Sequence, residues 1–418
     1  MKSWLEISEG ALRANYRALV RAAAAGGGGS MPVLAVVKAR AYGHGADLCA
    51  GVLASAGAPW LGVADAEEGV LVRRALDGTV GAGKVKPGVL SQPEILSNPE
   101  SLVGPESLVG PEILVMCGLL PEDAEAIVSH GLTPVVWSPD QLGWLERARG
   151  GVSQISVHLE VDTGMSRQGA VAGARLGLFL DRLAASASVR LGGVLTHFAS
   201  AEVSGSPLTE LQRGRFEAAL EQIAARELRP EWIHAGNTST IDEAGSIPWL
   251  RRMAGLYGAR PMLRAGLALY GYCLPLKGAQ SAVRDHLRPV LAWRSRVLAI
   301  EDVPRGATIG YNATFVAPRA MRLGLLPVGY ADGLRRELSA SDARAGGWVM
   351  IRGRRARIVG RISMNLTTVD LSSIPEAAPG DEATLLGEGV SAEDHARLAE
   401  TIPYEILCGL RARPRLTA

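Results

Sequence analysis

The stretch VLAVVKARAYGHG, residues 33–45, joins an apolar run to a glycine-rich turn through a single lysine. The run VLAVV is typical of a buried strand, and Gly43 and Gly45 mark a turn after it. Lys38 therefore stands at the end of the predicted strand. One interpretation is structural, because a lysine at a strand end commonly packs its aliphatic part and extends its ammonium group to water. The rest of the chain decides whether Lys38 has a function.

Short apolar runs like this one alternate with helical patterns along much of the chain. Eight runs are typical of strands: VLAVVK, WLGVA, EILVM, TPVVW, ISVHLEVD, LGGVLTHF, EWIHAGN and MLRAGLALYG. Amphipathic helical patterns lie between them, and Ser8 is the predicted N-cap of the first helix. Eight strands alternating with helices over roughly 250 residues predict an α/β fold, a (β/α)8 barrel, which we assign to residues 8–273.

Beyond the eighth run the helical alternation stops. Runs such as RLGLLPVGY and GWVMIRGRRARIVGRISM are separated by turn signals. They predict a β-rich second domain over residues 274–418, with residues 1–7 as an added strand. The tandem duplication SLVGPESLVGPE, residues 101–112, belongs to a segment, residues 82–112, that we predict to be a surface insertion.

The composition is that of a globular protein with a small-molecule partner. Of the 418 residues 47% are hydrophobic, and 44 basic against 42 acidic residues give a net charge of +2 without a basic stripe, so neither nucleic acid nor an anionic membrane is an expected partner. Four scattered cysteines form no CxxC pair, so we expect no metal site and no disulfide framework. The chain start lacks a signal-peptide pattern and no apolar run could span a bilayer, so we expect a cytoplasmic location.

In a (β/α)8 barrel the carboxyl ends of the strands form one rim, where active sites lie. Polar residues follow the predicted strands at this rim: Lys38, Asp162, Arg167, His197, Asn237 and Arg264. An uncharged lysine there can form a Schiff base with pyridoxal phosphate, which also needs an anion cradle. The loops GNTST and RAGLALYG predict such a cradle, because small residues let donors approach an anion closely. Its donors are the hydroxyls of Thr238 and Ser239 and the backbone N–H groups of Gly266 and Leu267.

Eight motifs resemble, in the same order, those of the alanine racemases, a family of fold-type III pyridoxal phosphate enzymes. They are AVVKARAYGHG, DTGMSRQG, THFASAE, RAGLALYG, IGYNATF, VGYADG, GRISMN and PYEILCGLRARPR. The resemblance runs nearly from end to end, the segment near residues 82–112 excepted. It implies a homodimer with shared active sites that interconverts L-alanine and D-alanine, the latter for cell-wall peptidoglycan.

The resemblance also implies two catalytic bases. Lys38 would bond covalently to pyridoxal 5'-phosphate and act as the base on the D side. Tyr311 looks like the base on the L side, working in the active site of the other subunit. Racemisation exchanges the Cα proton on opposite faces, so one base on each face is the minimal arrangement.

Other residues match positions that hold the cofactor or the substrate in this family. Arg264 is similar to the arginine that contacts the pyridine nitrogen, and because it cannot accept a proton it keeps that nitrogen neutral. His197 would pack against Arg264, and Arg167 would hold the cofactor phenolate and the substrate carboxylate. The remaining implied roles are phosphate binding by Tyr42, Asn237, Thr238, Gly266, Leu267 and Tyr404, and substrate binding by Met364, through its backbone N–H, and Asn365. On residue type alone, Tyr42, Tyr270, Tyr330 and Tyr404 could equally be packing tyrosines.

Three residues depart from the family pattern. Arg40 stands where the common motif has asparagine, and its side chain points either to the lysine or to solvent. Glu160 stands where many relatives have a carbamylated lysine; it supplies a carboxylate directly, so we infer that no carbamate forms there. Asn365 replaces an aspartate near the substrate pocket, which leaves the breadth of substrates open.

Three alternatives to an alanine racemase remain. A racemase for serine or larger amino acids uses the same chemistry. A non-catalytic pyridoxal phosphate-binding protein needs only the barrel, and the second domain with Tyr311 argues against it. A fold-type III decarboxylase would carry a cysteine motif in the second domain, and no cysteine here fits that motif.

Overall fold

The computed structural model describes residues 2–25, 29, 31–81 and 110–417. Most of the predicted insertion, residues 82–109, lies outside the described residues. The chain divides into two compact units, one of residues 12–41 and 46–288 and the other of residues 1–11, 42–45 and 289–418. The predicted boundary between residues 273 and 274 stays a prediction.

The first unit is built around a closed barrel of eight parallel strands. Numbered along the chain, they are β2 (Val33–Val36), β3 (Trp60–Val63), β4 (Glu112–Val115), β5 (Thr133–Val136), β6 (Ile155–Asp162), β8 (Val189–Leu195), β9 (Trp232–His234) and β10 (Arg260–Ala265). Each strand pairs with the next in this order, and β10 pairs with β2 to close the ring. The two-residue strand β7 (Ala170–Val171) pairs with β6 outside the ring. The eight apolar runs of the sequence therefore form the predicted barrel.

Helices follow most of the barrel strands, another precedes the first of them, and two more lie in the second unit. Along the described chain the helices are α1 (Glu9–Ala25), α2 (Ala46–Ser55), α3 (Ala66–Gly81), α4 (Ala124–Ser129), α5 (Pro139–Ala148), α6 (Ala174–Ala184), α7 (Pro207–Ala224), α8 (Thr238–Glu243), α9 (Ile247–Leu256), α10 (Ala392–Leu398) and α11 (Pro403–Cys408). Single 3-10 turns span Pro121–Asp123, Leu267–Tyr270, Arg284–His286, Tyr311–Ala313, Tyr330–Asp332 and Arg336–Leu338. Ser8 caps α1 as predicted, since its Oγ accepts a hydrogen bond from the Ala11 N–H at 3.2 Å. No helix among the described residues is long and apolar enough to cross a membrane.

The turn after β2 is left-handed. Four consecutive residues without glycine, Ala39 to Tyr42, have φ between 52° and 56°. Left-handed helical backbone costs roughly 1–2 kcal/mol per such residue, so surrounding contacts must hold it. The Ala41 N–H donates to Val37 O at 2.7 Å, and the Arg40 N–H donates to Glu68 Oε1 at 2.9 Å. Backbone strain of this kind concentrates at functional sites, and here it directly follows Lys38.

The second unit is a β-rich domain. Its sheet strands are β1 (Ser3–Ser8), β11 (Leu291–Arg296), β12 (Ala299–Val303), β15 (Met321–Leu326), β16 (Trp348–Ile351), β17 (Arg354–Ile358), β18 (Thr367–Asp370), β19 (Glu382–Leu386) and β20 (Pro414–Thr417). They form a nine-stranded sheet in the order β12-β15-β18-β17-β16-β19-β11-β1-β20. The short strands β13 (Thr308–Ile309) and β14 (Phe315–Val316) form a separate pair. The chain start joins this sheet as predicted, because β1 pairs with both β11 and β20.

Candidate active site

The polar residues predicted at the barrel rim follow the strands as expected. Lys38 comes two residues after β2, His197 two residues after β8, and Asn237 three residues after β9. Arg264 is the second-last residue of β10. Parallel strands in a closed barrel end at the same rim, so the ring closure brings these parts of the chain to one end of the barrel.

Arg264 is held in a cage of acceptors inside the barrel. The residue is 2% exposed. Its Nη1 donates to His234 O and to His234 Nδ1, both at 3.2 Å. Its Nη2 donates to Thr196 O at 2.8 Å and to His197 Nδ1 at 3.3 Å. Within the described part of the chain these contacts leave the Nε–H for another acceptor, because a guanidinium has five N–H donors.

The rim carries more positive than negative charge. Burial, together with the nearby cations Arg264, Arg167 and Lys38, lowers the pKa of His197 to about 3. Burial also lowers the pKa of Arg264 to about 10, while Glu160 raises it and Arg167 lowers it. His197 is therefore neutral at physiological pH, and the three cations outnumber the two rim carboxylates, Glu160 and Asp162. Such a surface stabilises an anionic ligand.

Glu160 is the acidic partner of these cations. The residue is 4% exposed. Burial raises the pKa of its carboxyl group, and this effect exceeds the lowering caused by the hydrogen bond from Gln168 and by the neighbouring cations. Gln168 Nε2 donates to Glu160 Oε2 at 2.5 Å and to Met116 O at 2.9 Å. Gln168 is thus the hydrogen-bond donor to this carboxylate, while Arg167 is exposed and acts on Glu160 as a neighbouring cation. Arg40 is also exposed.

The predicted phosphate cradle is organised by its own hydrogen bonds. The Gly266 N–H donates to Thr238 Oγ1 at 3.0 Å, so the single hydroxyl proton of Thr238 remains available for another acceptor. Asn237 Oδ1 accepts from the N–H groups of Ser239, at 2.9 Å, and Thr240, at 3.3 Å, and so caps α8. Asn237 and Gly266 thus orient the cradle, while Thr238 keeps a proton to donate to an anion.

Asp162, predicted at the rim, orders the loop after its strand: its Oδ1 accepts the N–H groups of Gly164 at 2.9 Å and of Met165 and Ser166 at 3.0 Å. Other residues near the rim were not found from the sequence. Gln212 is fully buried and donates to Thr163 Oγ1 at 3.0 Å and to His197 O at 2.8 Å. The others are His158, Gln168, Thr196 and His234. The only signal for the two histidines was their position inside otherwise apolar strands.

The predicted residues of the β-rich unit lie in three adjoining loops. Tyr311 is 65% exposed and Met364 is 56% exposed. The Tyr330 N–H donates to Ser363 O at 3.1 Å, and Asn365 Nδ2 donates to Asp332 Oδ2 at 3.3 Å. We call Tyr311, Tyr330, Met364 and Asn365 the loop cluster. Gly329 is required where two of these loops meet, since a Cβ there would lie 2.1 Å from Ser363 O.

The tyrosines predicted either to bind phosphate or to pack have different environments. Tyr42 is buried, and its ring centroid lies 5.9 Å from that of Tyr404. Burial raises the pKa of the Tyr42 phenol, with smaller effects from Tyr404 and Cys408. Tyr42 is therefore a neutral hydroxyl at physiological pH. Tyr270 is a packing tyrosine, because it is buried and its hydroxyl donates to Val36 O at 2.9 Å.

Comparison with known proteins gives one family over nearly the whole chain. Two family models match, the alanine racemase N-terminal domain over residues 7–274 and the alanine racemase C-terminal domain over residues 290–417. The alanine racemase of Symbiobacterium thermophilum is 35% identical over 416 residues, 98% of this chain and 95% of the relative. The alanine racemase of Halothermothrix orenii is 32% identical over 98% of this chain and 95% of its own length.

Solved structures give the same result. Alanine racemase from Streptomyces coelicolor is 30% identical, with a TM-score of 0.78 over 99% of this chain and 98% of that one. Alanine racemase from Bartonella henselae, described with covalently bound pyridoxal phosphate, is 25% identical, with a TM-score of 0.76 over 100% of both chains. The chain therefore belongs to the alanine racemase family.

Proposed function

We propose that this chain interconverts L-alanine and D-alanine with pyridoxal 5'-phosphate bound at the barrel rim, as a cytoplasmic homodimer. The observation that supports it best is the setting of Arg264. A buried guanidinium is held by two histidine rings and two backbone carbonyls, in a rim where cations outnumber carboxylates. Burying a cation in this way is costly unless a ligand or partner uses it.

The rim residues fit the chemical groups of this cofactor. The cofactor carries a phosphate, a phenolate and a ring nitrogen. The free hydroxyl proton of Thr238 suits the phosphate, and the positive charge of Arg167 suits the phenolate. The Nε–H of Arg264 suits the ring nitrogen and, being a donor only, leaves that nitrogen unprotonated.

When bound, pyridoxal phosphate withdraws electrons from the substrate Cα and makes its proton more acidic. In our proposal, Lys38 Nζ removes or returns that proton on the D side. The Tyr311 hydroxyl does the same on the L side. Arg167 and the backbone N–H of Met364 would hold the substrate carboxylate, so that Cα lies between the two bases. The roles of Tyr42 and Tyr404 at the phosphate stay predictions.

Exposure of the loop cluster supports the proposed dimer. A catalytic tyrosine needs a site that excludes water, yet Tyr311 is 65% exposed in the single chain. Tyr330 and Met364, in the other loops of the cluster, are also exposed, at 43% and 56%. We propose that a second copy of the chain covers this cluster and that Tyr311 completes the active site of that copy.

The test is a racemase assay combined with chemical mapping of the cofactor. Purified protein with added pyridoxal phosphate is given a panel of L-amino acids, and the D-products are measured on a chiral column. We expect D-alanine as the main product. Borohydride should then fix the cofactor on Lys38, and mapping is simple because the chain has only five lysines: Lys2, Lys38, Lys84, Lys86 and Lys277.

The control is a matched pair of lysine variants. Lys38→Ala should lose both the fixed cofactor and racemisation, because Lys38 is the proposed attachment point of the cofactor and the proposed base on the D side. Lys277→Ala removes an exposed lysine of the same unit and should retain both. Label on a lysine other than Lys38, or full activity of Lys38→Ala, would disprove the assignment.

A further inference from the structure

A chain of side-chain hydrogen bonds runs from Arg264 to a second, deeper histidine. Arg264 Nη1 contacts His234 Nδ1 at 3.2 Å. The other ring nitrogen of His234, Nε2, contacts His158 Nδ1 at 2.9 Å. All three residues are buried, with His158 and His234 both 0% exposed.

The direction of each hydrogen bond in this chain follows from donor chemistry. Arginine only donates, so His234 Nδ1 must accept, and a neutral His234 then carries its proton on Nε2. That Nε2–H donates to His158 Nδ1, which places the proton of a neutral His158 on Nε2. Burial lowers the pKa of both histidines, that of His158 to about 3, so both rings are neutral.

Packing fixes the His158 ring where it can accept this hydrogen bond. Its ring centroid lies 5.0 Å from those of Trp60 and His234. Gly193 lies against its other side, since a Cβ on Gly193 would come within 2.7 Å of the imidazole. His158 Nε2 has no acceptor within the described part of the chain. Burial of His158 leaves its Nε2–H unpaired, so the hydrogen bonds that His158 itself requires do not explain its presence in the core.

We propose that His158 is a positioning residue for the racemase reaction: by accepting the His234 Nε2–H, it holds the His234 ring in the tautomer and orientation that align the Arg264 guanidinium. The consequence for catalysis rests on the proposed function, in which Arg264 donates to the cofactor ring nitrogen. The hydrogen-bond chain itself does not depend on that function. Loss of the His158 acceptor frees the His234 ring to turn, and Arg264 then loses one of its acceptors inside the barrel.

Two nearly isosteric variants separate the hydrogen bond from the packing. His158→Asn keeps an acceptor close to the position of Nδ1, whereas His158→Leu has a similar shape without one. His286→Asn, at an exposed histidine, serves as the control. Full-length protein labelled with ¹⁵N-histidine is examined by long-range ¹H–¹⁵N correlation, with and without pyridoxal phosphate. Cofactor dissociation constants are measured by absorbance titration.

In the wild type we expect His158 and His234 as neutral rings protonated on Nε2. His158→Asn should keep the His234 tautomer and bind the cofactor within about twofold of wild type. His158→Leu should change the His234 nitrogen shifts and weaken cofactor binding about tenfold, by analogy with the hydrogen-bond partners of metal ligands, whose loss typically costs about 10–100-fold in affinity. His286→Asn should match wild type in both measurements.

The proposal is overturned if wild-type His158 is protonated on Nδ1, or if His158→Leu and His158→Asn share one His234 spectrum and one dissociation constant. If His158→Leu does not fold, the histidine tautomers of the wild type and of His158→Asn still test the proposal. Wild-type protein that neither binds pyridoxal phosphate nor racemises alanine would disprove the proposed function instead, and the histidine tautomers would remain a separate test.

Discussion

The barrel rim and the loop cluster carry the two proposed catalytic bases in opposite environments. At the rim, buried side chains hold one another: Arg264 contacts His234 and His197, and Gln212 contacts Thr163. In the loop cluster, backbone hydrogen bonds between loops fix the chain while the side chains of Tyr311, Tyr330 and Met364 stay exposed.

This difference indicates that cofactor binding and completion of the active site depend on different regions of the molecule. The rim is preorganised, so under the proposed function a single chain would already hold the cofactor-binding residues in place. The loop cluster holds Tyr311 on a defined loop but leaves its side chain exposed. We therefore expect rim substitutions to affect both folding stability and function, and loop-cluster substitutions to affect function alone.

The largest expected effect is that of Tyr311→Phe on racemisation. Removing a general acid–base group typically costs on the order of 10²–10⁴ in rate, so kcat should fall by this factor in both directions. Cofactor affinity and the unfolding midpoint should stay at wild-type values, because the side chain is exposed. In heavy water, D-alanine should still exchange its Cα proton while L-alanine does not. Equal loss of exchange for both enantiomers would contradict the two-base assignment.

Gln212→Leu tests the other side of the comparison. This buried side chain donates to Thr163 Oγ1 and His197 O and accepts from the Ala199 N–H at 2.9 Å. Leucine leaves those groups without their partner, so the free energy of unfolding should fall by about 1–3 kcal/mol. Denaturant unfolding measures it, with Gln222→Leu on the same helix as control. A change as small as that of Gln222→Leu would show that the rim is not held by its side chains.

Asn365→Asp probes specificity in the loop cluster. Asn365 Nδ2 donates to Asp332 Oδ2, so an aspartate at position 365 sets two carboxylates side by side. The added negative charge should narrow the substrate range, lowering kcat/KM for serine relative to alanine by the equivalent of about 1–2 kcal/mol. Steady-state kinetics of both amino acids give the ratio. An unchanged ratio would mean that position 365 does not set the breadth of substrates.

His395→Gln gives the smallest expected effect and tests whether burial alone causes acid sensitivity. Burial lowers the pKa of His395, in the β-rich unit, to about 4 from an ordinary value of 6.5. Below pH 6.5 His395 binds a proton in the unfolded chain but stays neutral in the folded chain. The free energy of unfolding therefore falls as the pH drops from 6.5 toward 4. Between pH 7.5 and 5.5 His395→Gln should reduce that loss by about 1 kcal/mol, as measured by denaturant unfolding. A loss equal to that of wild type would show that His395 does not contribute.

The sequence predicted features that depend on local pattern. EWIHAGN forms β9 at Trp232–His234, Ser8 caps α1, and Lys38 follows the first barrel strand. Strand periodicity, capping chemistry and barrel topology are properties of short segments and their order, so one sequence contains them.

Features that depend on which side chains meet could not be predicted. His158 and His234 are 76 residues apart, and only closure of the barrel brings their rings together. Gln168 donates to Glu160, and no local pattern in the chain indicates this contact. The left-handed turn from Ala39 to Tyr42 also escaped prediction, since residues other than glycine rarely adopt positive φ in succession.

Subunit complementation tests most directly the claim that each active site takes one base from each chain. Lys38→Ala and Tyr311→Phe chains with different affinity tags are co-expressed, and the mixed dimers are purified through both tags. One of the two sites in a mixed dimer then contains both intact bases, so we expect about half of the wild-type activity. Each variant alone should have almost none. Mixed dimers as inactive as the single variants would contradict the account, because Tyr311 would then serve the site of its own chain or none.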